Sequence, residues 1–507
     1  MDGKSAQAKT RFKTPEGSYR LVAEKAQGLL PFSFARSTRL ATAQLDDGLW
    51  ILYNIGDVLH VGDLLHKEPV RSLLLGTVSG KAGYITCHDF TPASDSADIV
   101  VGLADGQVLL LSLRAQLQAP ANSKPLIAAS LAPEVSNELA RCTAVTWLQR
   151  SEGTFAAAFA SGQVYLYRKA AVLGEGSSRF SLSIGSGNKS STPSSVLSVA
   201  GGGVTDLAAS PCGTRLAAAC RDRALRLLDV ATGAVVGGFH SYYGNVLCCS
   251  FSPDGRYVAA GGEDDLVAVY GVAERYPVAH CQGHTSWVSR VRWDPWLMLG
   301  GGPSPLVGAG AAGGVPLTLQ PNPGPGSLGQ GACEASRSYR IASVGQDCAL
   351  CLWEVQVAQV EGGDLMAGPV VTGLNMRRSN STAALGSPTQ RGGDAGSAPF
   401  SLTGLNQALA GAGPSLGLGH QRKPSVGKAP GGGMSPSLHS LDMNVVQPSM
   451  QHRLHLEPTC DIAFTEHFVV TADHTGCVRT WERPASLQRV SMTLRAAMQA
   501  ATAGSPG

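Results

Sequence analysis

Charged residues are scarce in this 507-residue chain. Asp, Glu, Lys and Arg make up 15% of it, against about 25% in an average soluble protein. The 40 basic and 37 acidic residues are scattered along the chain and leave a formal net charge of +3. Because nucleic acids and anionic membranes are bound by clustered basic residues, we expect neither as a partner.

Long apolar runs are also missing. No stretch reaches the roughly 18 residues that a transmembrane helix needs, and the first residues lack the apolar segment of a secretory signal. The 12 cysteines are dispersed, mostly inside apolar runs such as "LAAAC" and "CLW". That usage is typical of buried thiols in a reducing compartment. We therefore expect a cytoplasmic or nuclear protein, or one present in both compartments.

Motifs that would indicate catalysis are absent as well. The sequence contains no P-loop and no HExxH motif. Residues 87–89, "CHD", offer a thiol, an imidazole and a carboxylate in a row, and Cys248 is followed by Cys249. Successive residues of a strand point to opposite faces, so neither set can act on one atom or chelate one metal ion. We expect a protein that is not an enzyme and that needs no cofactor or metal ion.

One pattern recurs along the chain. Residues 246–270 alternate in period two, turn at "SPDG", and continue as two further strands. Residues 204–230 have the same layout, and the step from Asp222 to Asp264 is 42 residues. That interval matches a four-stranded propeller blade of about 40–45 residues. Further copies are found at residues 86–111, 143–167, 286–296 continued at 339–355, and 460–482, and a strand-rich region at about residues 38–66 is long enough for one further blade. The sequence predicts an all-β fold, a single seven-bladed β-propeller whose N-terminal strand near Tyr19 completes the last blade.

The repeats also share polar positions. Asp347 lies six residues before Trp353, and the same interval follows three further turn residues, Asp105, Asp222 and Asp264. This resembles the WD repeat, in which His, Ser or Thr, Asp and Trp form a hydrogen-bonded tetrad. We predict one complete tetrad, formed by His284, Ser343, Asp347 and Trp353. The last repeat has Thr475 at the Asp position, so no tetrad is expected there. The three other Asp residues are predicted acceptors for backbone amides of their turns.

Two regions of low complexity interrupt the repeats. Their Gly, Ser and Pro content is too high to bury a core, so we expect disordered insertions. The predicted segments are a disordered N terminus (1–10), the propeller to the start of blade six (11–296), an insertion (297–337), the rest of blade six (338–356), a disordered linker (357–452), the last blade (453–484) and a tail (485–507). Within the linker, Ser381 and Ser425 each follow an Arg by three residues, a spacing that suits basophilic kinases.

Several longer motifs resemble one family of WD-repeat proteins. They include "RFKTPEGSYRL", "SYYGNVLCCSFSPDGRYVAAGGEDDLVAVY", "GHTSWVSRVRWDP", "YRIASVGQDCALCLW" and "FVVTADHTGCVRTWERP", in this order. The chain is similar to the family of the fungal catabolite-repression protein CreC, the dystrophia-myotonica WD-repeat protein and their animal relatives. The resemblance implies a non-catalytic partner of a ubiquitin-specific deubiquitinase, with a second WD-repeat activator on some occasions.

Large aromatic residues precede the inner strands of two consecutive repeats. Tyr242 and Tyr243 precede Val246, and Trp287 follows His284. Since Tyr and Trp dominate interface energetics, we predict a partner surface there, with Glu263 and Asp265 as its polar rim. The alternative is that Trp287 packs inside its own blade.

An alternative function is also open. Trp481-Glu482-Arg483 is a loose match to the Arg that follows a Trp-Asp pair in substrate receptors of cullin-type ubiquitin ligases.

Overall fold

Short apolar runs rich in Val, Ala and Cys fold into β-strands along the chain. The computed structural model describes residues 10–26, 29, 37–45, 48–76, 83–91, 97–120, 123–132, 141–149, 151, 153–173, 193–199, 202–297, 336–358, 370–373 and 444–484. The chain divides into two units, residues 1–377 with 432–507 and residues 378–431. All described residues belong to the first. Ser381 and Ser425 belong to the second, outside the described residues.

The first unit begins with a hairpin and three blades. The hairpin consists of β1 (Arg11–Thr14) and β2 (Gly17–Lys25). Blade one consists of β3 (Leu40–Leu45), β4 (Gly48–Ile55), β5 (Val58–Asp63) and β6 (Arg71–Leu74). Blade two consists of β7 (Ile85–Thr91), β8 (Asp98–Leu103), β9 (Val108–Ser112) and β10 (Ile127–Leu131), with helix α1 (Leu113–Gln118) before its last strand. Blade three consists of β11 (Cys142–Trp147), β12 (Thr154–Phe159), β13 (Gln163–Arg168) and β14 (Ser195–Ser198), with helix α2 (Lys169–Leu173) after β13. Among the described residues, no helix is long and apolar enough to cross a membrane.

Four further blades follow. Blade four consists of β15 (Val204–Ala209), β16 (Arg215–Cys220), β17 (Ala224–Asp229) and β18 (Val235–His240). Blade five consists of β19 (Val246–Phe251), β20 (Tyr257–Gly262), β21 (Leu266–Gly271) and β22 (Tyr276–Gln282). Blade six is built from β23 (Val288–Trp293), β24 (Ser336–Gly345), β25 (Ala349–Ala358), β26 (Val370–Gly373) and β28 (Met450–Arg453), and β27 (Asn444–Val446) precedes β28. Blade seven contains β29 (Thr459–Phe464), β30 (Phe468–Asp473) and β31 (Val478–Glu482). The seven sheets form the predicted seven-bladed β-propeller.

The N-terminal hairpin closes the ring. Strand β2 pairs with β31, so that Leu21 faces Trp481, as the sequence predicted. The structure adds β1, which pairs with β2 and makes blade seven five-stranded. Phe12 of β1 stacks on Tyr19 at 4.6 Å and meets the Trp481 ring edge-on at 5.2 Å. The closing strands are therefore held by an aromatic cluster as well as by backbone hydrogen bonds.

Neighbouring blades bury both faces of their strands against each other. The inner strand of blade five shows this clearly. Cys248 packs in the hydrophobic core between blades five and six, whereas Cys249 packs in the hydrophobic core between blades four and five. The two thiols are both fully buried and lie on opposite faces of β19, as strand geometry requires. The adjacent cysteines are therefore core residues.

Blade six departs from the predicted boundaries. The segment 357–452 was expected to be disordered throughout, but β28 within it supplies the outer strand of the blade beside residues 349–352. β26 pairs with residues 355–358 of the long strand β25. β27 runs parallel to β22 and adds a fifth strand to blade five. The prediction of disorder is therefore wrong at both ends of this segment. Strands of three or four residues are held by backbone pairing alone, and they are too short to show a periodic apolar pattern in the sequence.

Candidate interaction face

Each blade presents two loops at the same end. Because the strands are antiparallel, the loop entering the innermost strand lies beside the turn between the second and third strands. Backbone hydrogen bonds join the two, as from Glu263 to the Asn245 carbonyl at 3.0 Å in blade five and from Gln346 to the Trp287 carbonyl at 2.9 Å in blade six. We call the surface formed by these loops and turns the top face.

The turns on the top face need a residue with a left-handed backbone. One such residue precedes the third strand in every blade. The seven residues are Gly56, Gly106, Gly162, Arg223, Asp265, Cys348 and Gly476. Glycine adopts this conformation without a steric penalty, whereas other L-residues are strained by about 1–2 kcal/mol. Blades four, five and six therefore hold strained residues at positions where the other four blades have glycine.

In four blades an Asp lies directly before this left-handed residue. Three of the four Asp side chains accept a backbone N–H of their own turn, as the sequence predicts. Asp105, Asp264 and Asp347 each accept the backbone N–H two residues further on, at 3.1, 3.4 and 3.1 Å. Asp222 differs, because its two oxygens accept hydrogen bonds from the guanidinium of Arg226 at 2.8 and 2.5 Å. In blade four the turn carboxylate therefore forms an ion pair with an arginine side chain, in addition to lying in the turn.

Three of the four predicted tetrad residues of blade six are joined by hydrogen bonds. His284 Nδ1 lies 2.9 Å from Asp347 Oδ2, and His284 Nε2 lies 2.6 Å from Ser343 Oγ. Burial favours a raised pKa for the Asp347 carboxyl, but hydrogen bonds from His284, Thr285 and Ala349 outweigh it and hold the pKa below its usual range. Trp353 packs 5.9 Å from the His284 ring and donates its indole N–H to the Gln282 carbonyl at 3.4 Å. The network fixes the loop before β23.

Blade seven contains a tetrad that sequence reasoning missed. His455 Nδ1 lies 3.0 Å from Asp473, and His455 Nε2 lies 2.8 Å from Thr471 Oγ1, which also accepts the Trp481 indole N–H at 3.0 Å. Thr475 does occupy the position where the repeat has Asp. The carboxylate of this tetrad belongs instead to Asp473, two residues earlier in the chain, and the Thr475 hydroxyl donates to it at 2.7 Å. The interval from hydroxyl to Trp is ten residues in both blades and would have revealed the second tetrad.

The same corner holds one group of potential metal ligands. Donor atoms of His455, Asp473 and Cys477 lie within 4.8 Å of one another. Both ring nitrogens of His455 already have hydrogen-bond partners in the tetrad, and the Cys477 backbone N–H donates to Asp473 at 3.1 Å. The geometry is that of a structural hydrogen-bond network.

Four exposed apolar residues lie on consecutive blades of the top face. Tyr242 and Tyr243 are 41% and 50% exposed, Trp287 is 47% exposed, and Leu456, in the loop before β29, is 49% exposed. We call these four residues the apolar cluster. The two tyrosine rings meet edge-on at 6.1 Å. With half of its surface in solvent, Trp287 is not a core residue of its blade. Sequence reasoning missed Leu456, which has no aromatic signal.

The acidic residues beside the apolar cluster have different surroundings. Glu263 accepts hydrogen bonds from the backbone and the side-chain amide of Asn245, at 2.9 and 3.2 Å, so it is engaged within its own blade. Asp264 is buried, and burial raises its pKa to about 6. Asp265 is half-buried; burial, followed by the charge of Asp347, raises its pKa, and its own charge raises the pKa of Tyr243. Of the two predicted rim residues, Asp265 faces the apolar cluster and Glu263 holds the loop.

A buried ion pair network that the sequence did not reveal crosses the centre of the propeller. Arg290, on the inner strand of blade six, bonds Asp206 of blade four at 2.6 Å and Asp461 of blade seven at 3.1 Å. Burial favours a raised pKa for Asp461, but Arg290 and its other cationic neighbours hold the pKa below its usual range. The carboxylates also accept backbone N–H groups of Cys249 and Leu40. With these backbone donors the network links five blades, and its role is structural.

The residues of "CHD", Cys87, His88 and Asp89, make separate contacts in the structure. The Cys87 thiol lies 3.8 Å from that of Cys142, His88 Nε2 lies 3.0 Å from the Arg39 carbonyl, and Asp89 accepts the Trp147 N–H at 2.8 Å. The three side chains therefore have three separate partners.

Sequence reasoning also overlooked a Cys-x-x-Cys spacing, Cys348 to Cys351. Cys351 packs in the cluster between blades five and six, whereas the Cys348 thiol lies 3.6 Å from the Leu456 carbonyl, towards blade seven. The two thiols face different blades and do not form a redox pair.

Comparison with known proteins agrees with this geometry. The WD40 family (WD domain, G-beta repeat) matches residues 191–229 and 235–270, which include the outer strand of blade three, all four strands of blade four and the first three strands of blade five. The chain carries WD repeats. A chain in the crystal structure of the mitotic checkpoint complex has the same fold, with a TM-score of 0.50, 10% identity and 95% coverage of both chains.

One relative carries a functional name. UBP9-binding protein bun62 of Schizosaccharomyces pombe is 24% identical over 420 residues, which are 78% of this chain and 64% of the relative. This chain thus spans about two thirds of that protein's length. The name says that the relative binds UBP9, and the WD-repeat chain described here is similar to it.

Proposed function

We propose that this WD-repeat protein is a non-catalytic scaffold that binds a ubiquitin-specific protease and activates or targets it. The similarity to a UBP9-binding protein over 78% of the chain carries the proposal. The family resemblance of the sequence motifs supports the same partner, and it is the basis for including a second WD-repeat activator in the complex. Buried free thiols, at every described cysteine except the half-buried Cys212, support a reducing compartment, the cytoplasm or nucleus.

We place the protease on the apolar cluster of the top face. A stable interface usually has a few large, buried anchor residues surrounded by a polar rim. Trp287 and Tyr243 present large areas on fixed loops, since their loops are held by the His284 network and by Glu263. Anchors on loops that are already ordered lose little entropy on binding. These features support a preformed docking surface.

The ligase-receptor alternative loses support from the position of Arg483. A receptor of that kind needs this arginine at the surface, but Arg483 is buried and pairs with the buried Asp294 at 2.7 Å. Its guanidinium also lies over the Phe464 ring at 5.3 Å. Arg483 therefore has a structural role between blades six and seven.

Affinity purification of the full chain from native extract tests the proposal. We expect a ubiquitin-specific protease among the bound proteins. In a binding assay with that protease, Trp287→Ala should weaken affinity by about 2 kcal/mol or more, roughly 30-fold, without changing the melting temperature. Recovery of a cullin adaptor and no protease would refute the proposal. Unchanged protease affinity with normal folding would leave the function standing and remove Trp287 from the interface.

A further inference from the structure

A second exposed feature lies on the top face, in the turn between β16 and β17 of blade four. Arg221 and Arg223 are both exposed and flank Asp222. The carboxylate of Asp222 is engaged by Arg226, with both of its oxygens hydrogen-bonded to that guanidinium. Within the part of the chain that the structure describes, no ion pair engages Arg221 or Arg223. Two positive charges are therefore presented to solvent without a compensating carboxylate.

The backbone of Arg223 is in a strained, left-handed conformation. Arg223 has φ of 65°, in the left-handed region, and four of the seven blades have glycine at this position. The Arg223 carbonyl accepts the Ser241 N–H at 2.7 Å, and the Arg221 N–H donates to the Gly203 carbonyl at 3.0 Å. The turn is thus fixed on both sides of Asp222. Strained residues that persist in well-supported turns are a feature of ligand-binding positions.

The charge of the top face changes sign across neighbouring blades. Arg141, in the loop entering blade three, is also exposed, and its guanidinium lies over the Tyr84 ring of blade two at 5.9 Å. The apolar cluster on blades five to seven has Asp265 and Glu457 among its neighbours on the top face. A partner that covers both the apolar cluster and the turn of blade four would complement that turn by presenting negative charge to it.

We propose that Arg221 and Arg223 bind an acidic peptide segment of a protein partner. Guanidinium groups pair with carboxylates through two parallel hydrogen bonds, and an extended chain with successive Glu or Asp side chains presents such carboxylates at short intervals. A peptide suits the site better than a nucleic acid, because nucleic acids are bound by extended basic surfaces and this chain has almost no net charge. The site goes beyond the protease-binding surface and does not depend on the identity of that partner.

A fluorescein-labelled deca-glutamate peptide tests the site by fluorescence anisotropy with the full chain at low and moderate salt. Arg223→Gly removes the charge and relieves the backbone strain, so loss of binding cannot arise from misfolding. Arg275→Gly is the matched control. Arg275 is also exposed and left-handed, with φ of 62°, but it lies in the turn between β21 and β22, at the opposite end of blade five.

We expect Arg223→Gly to weaken peptide binding at least about fivefold and Arg221→Gln/Arg223→Gly to weaken it further, with Arg275→Gly within about twofold of the wild type. The affinity should fall as salt rises. Equal losses in the Arg223 and Arg275 variants, no binding by the wild type, or tighter binding of a deca-thymidylate would each overturn the inference.

The outcome is separable from that of the proposed function. Peptide binding that depends on Arg223, in a protein that captures no protease, would support the acidic-peptide site and refute the protease. If the protein binds the protease but not the peptide, the proposed function is supported and the acidic-peptide site is refuted.

Discussion

The hydroxyl of Thr471 accepts the indole N–H of Trp481 at 3.0 Å, ten residues along the chain. In blade six the corresponding indole, Trp353, donates to the Gln282 carbonyl at 3.4 Å. The two tetrads therefore use their tryptophans differently. In blade seven, which is also the blade that closes the ring, the indole N–H bonds to another member of the tetrad, whereas in blade six it bonds to a backbone carbonyl outside the tetrad.

This difference predicts unequal effects of one substitution. Trp481→Phe and Trp353→Phe remove similar volumes from buried sites, but only the first removes a short buried hydrogen bond. We expect Trp481→Phe to lower the free energy of unfolding by about 2 kcal/mol and Trp353→Phe to lower it by at least about 1 kcal/mol less. Denaturation in guanidinium chloride measures both. Equal losses would show that the indole N–H of Trp481 contributes nothing beyond packing.

The central ion pair network predicts a pH dependence. Asp461 has a lowered pKa in the folded protein, so its contribution to stability is present above its unfolded pKa of about 4 and is lost as the pH falls through the folded pKa. Asp461→Asn leaves Arg290 with one buried partner and should lower stability by about 3 kcal/mol at pH 7. The gap between variant and wild type should be constant from pH 8 to 5 and narrow below pH 4. A gap that widens in acid would contradict this assignment.

Ring closure predicts the effect of two deletions. Removing residues 1–25 deletes β1 and β2 and exposes the edge of β31, so the melting temperature should fall by roughly 10 °C or more. Removing residues 378–431, the second unit, deletes no described strand and should leave the melting temperature unchanged. Scanning calorimetry measures both. A large loss from the second deletion would mean that this unit supports the propeller.

Leu456 provides a matched test of the apolar cluster. Leu456→Ala shortens a side chain that is 49% exposed on the top face, and Leu74→Ala shortens one that is 47% exposed on the outer strand of blade one. If the protease covers the apolar cluster, Leu456→Ala should weaken its binding by about 1 kcal/mol and Leu74→Ala should not change it. Titration calorimetry with the purified protease distinguishes them. Equal affinities for the two variants would place the protease on another surface.

The blades themselves could be predicted from the sequence, and the reason is local. Alternation along β19, the "SPDG" turn and a repeat near 42 residues all act over short distances in the chain. The N-terminal closing strand followed from counting strands, since the last repeat had only three. Exposure of Tyr242, Tyr243 and Trp287 could be anticipated because they lie in loops rather than strands.

The features that could not be predicted depend on contacts between distant parts of the chain. Arg290 meets Asp206 and Asp461, which are 84 and 171 residues away, and no spacing rule relates them. β27 and β28 lie at the end of a Gly- and Pro-rich segment, and only their pairing with blades five and six makes them strands. The second tetrad was missed because Asp473 reaches the histidine from a position two residues early.

The pairing of β2 with β31 also has a consequence for biosynthesis. A ribosome adds about 5–20 residues per second, so roughly 20 to 90 seconds separate the emergence of β2 from that of its partner. During this interval β2 has one free edge, which can pair with other nascent chains. The ring cannot close until translation has passed Glu482, so the pairing that completes blade seven forms only after the strands of the other six blades have been made.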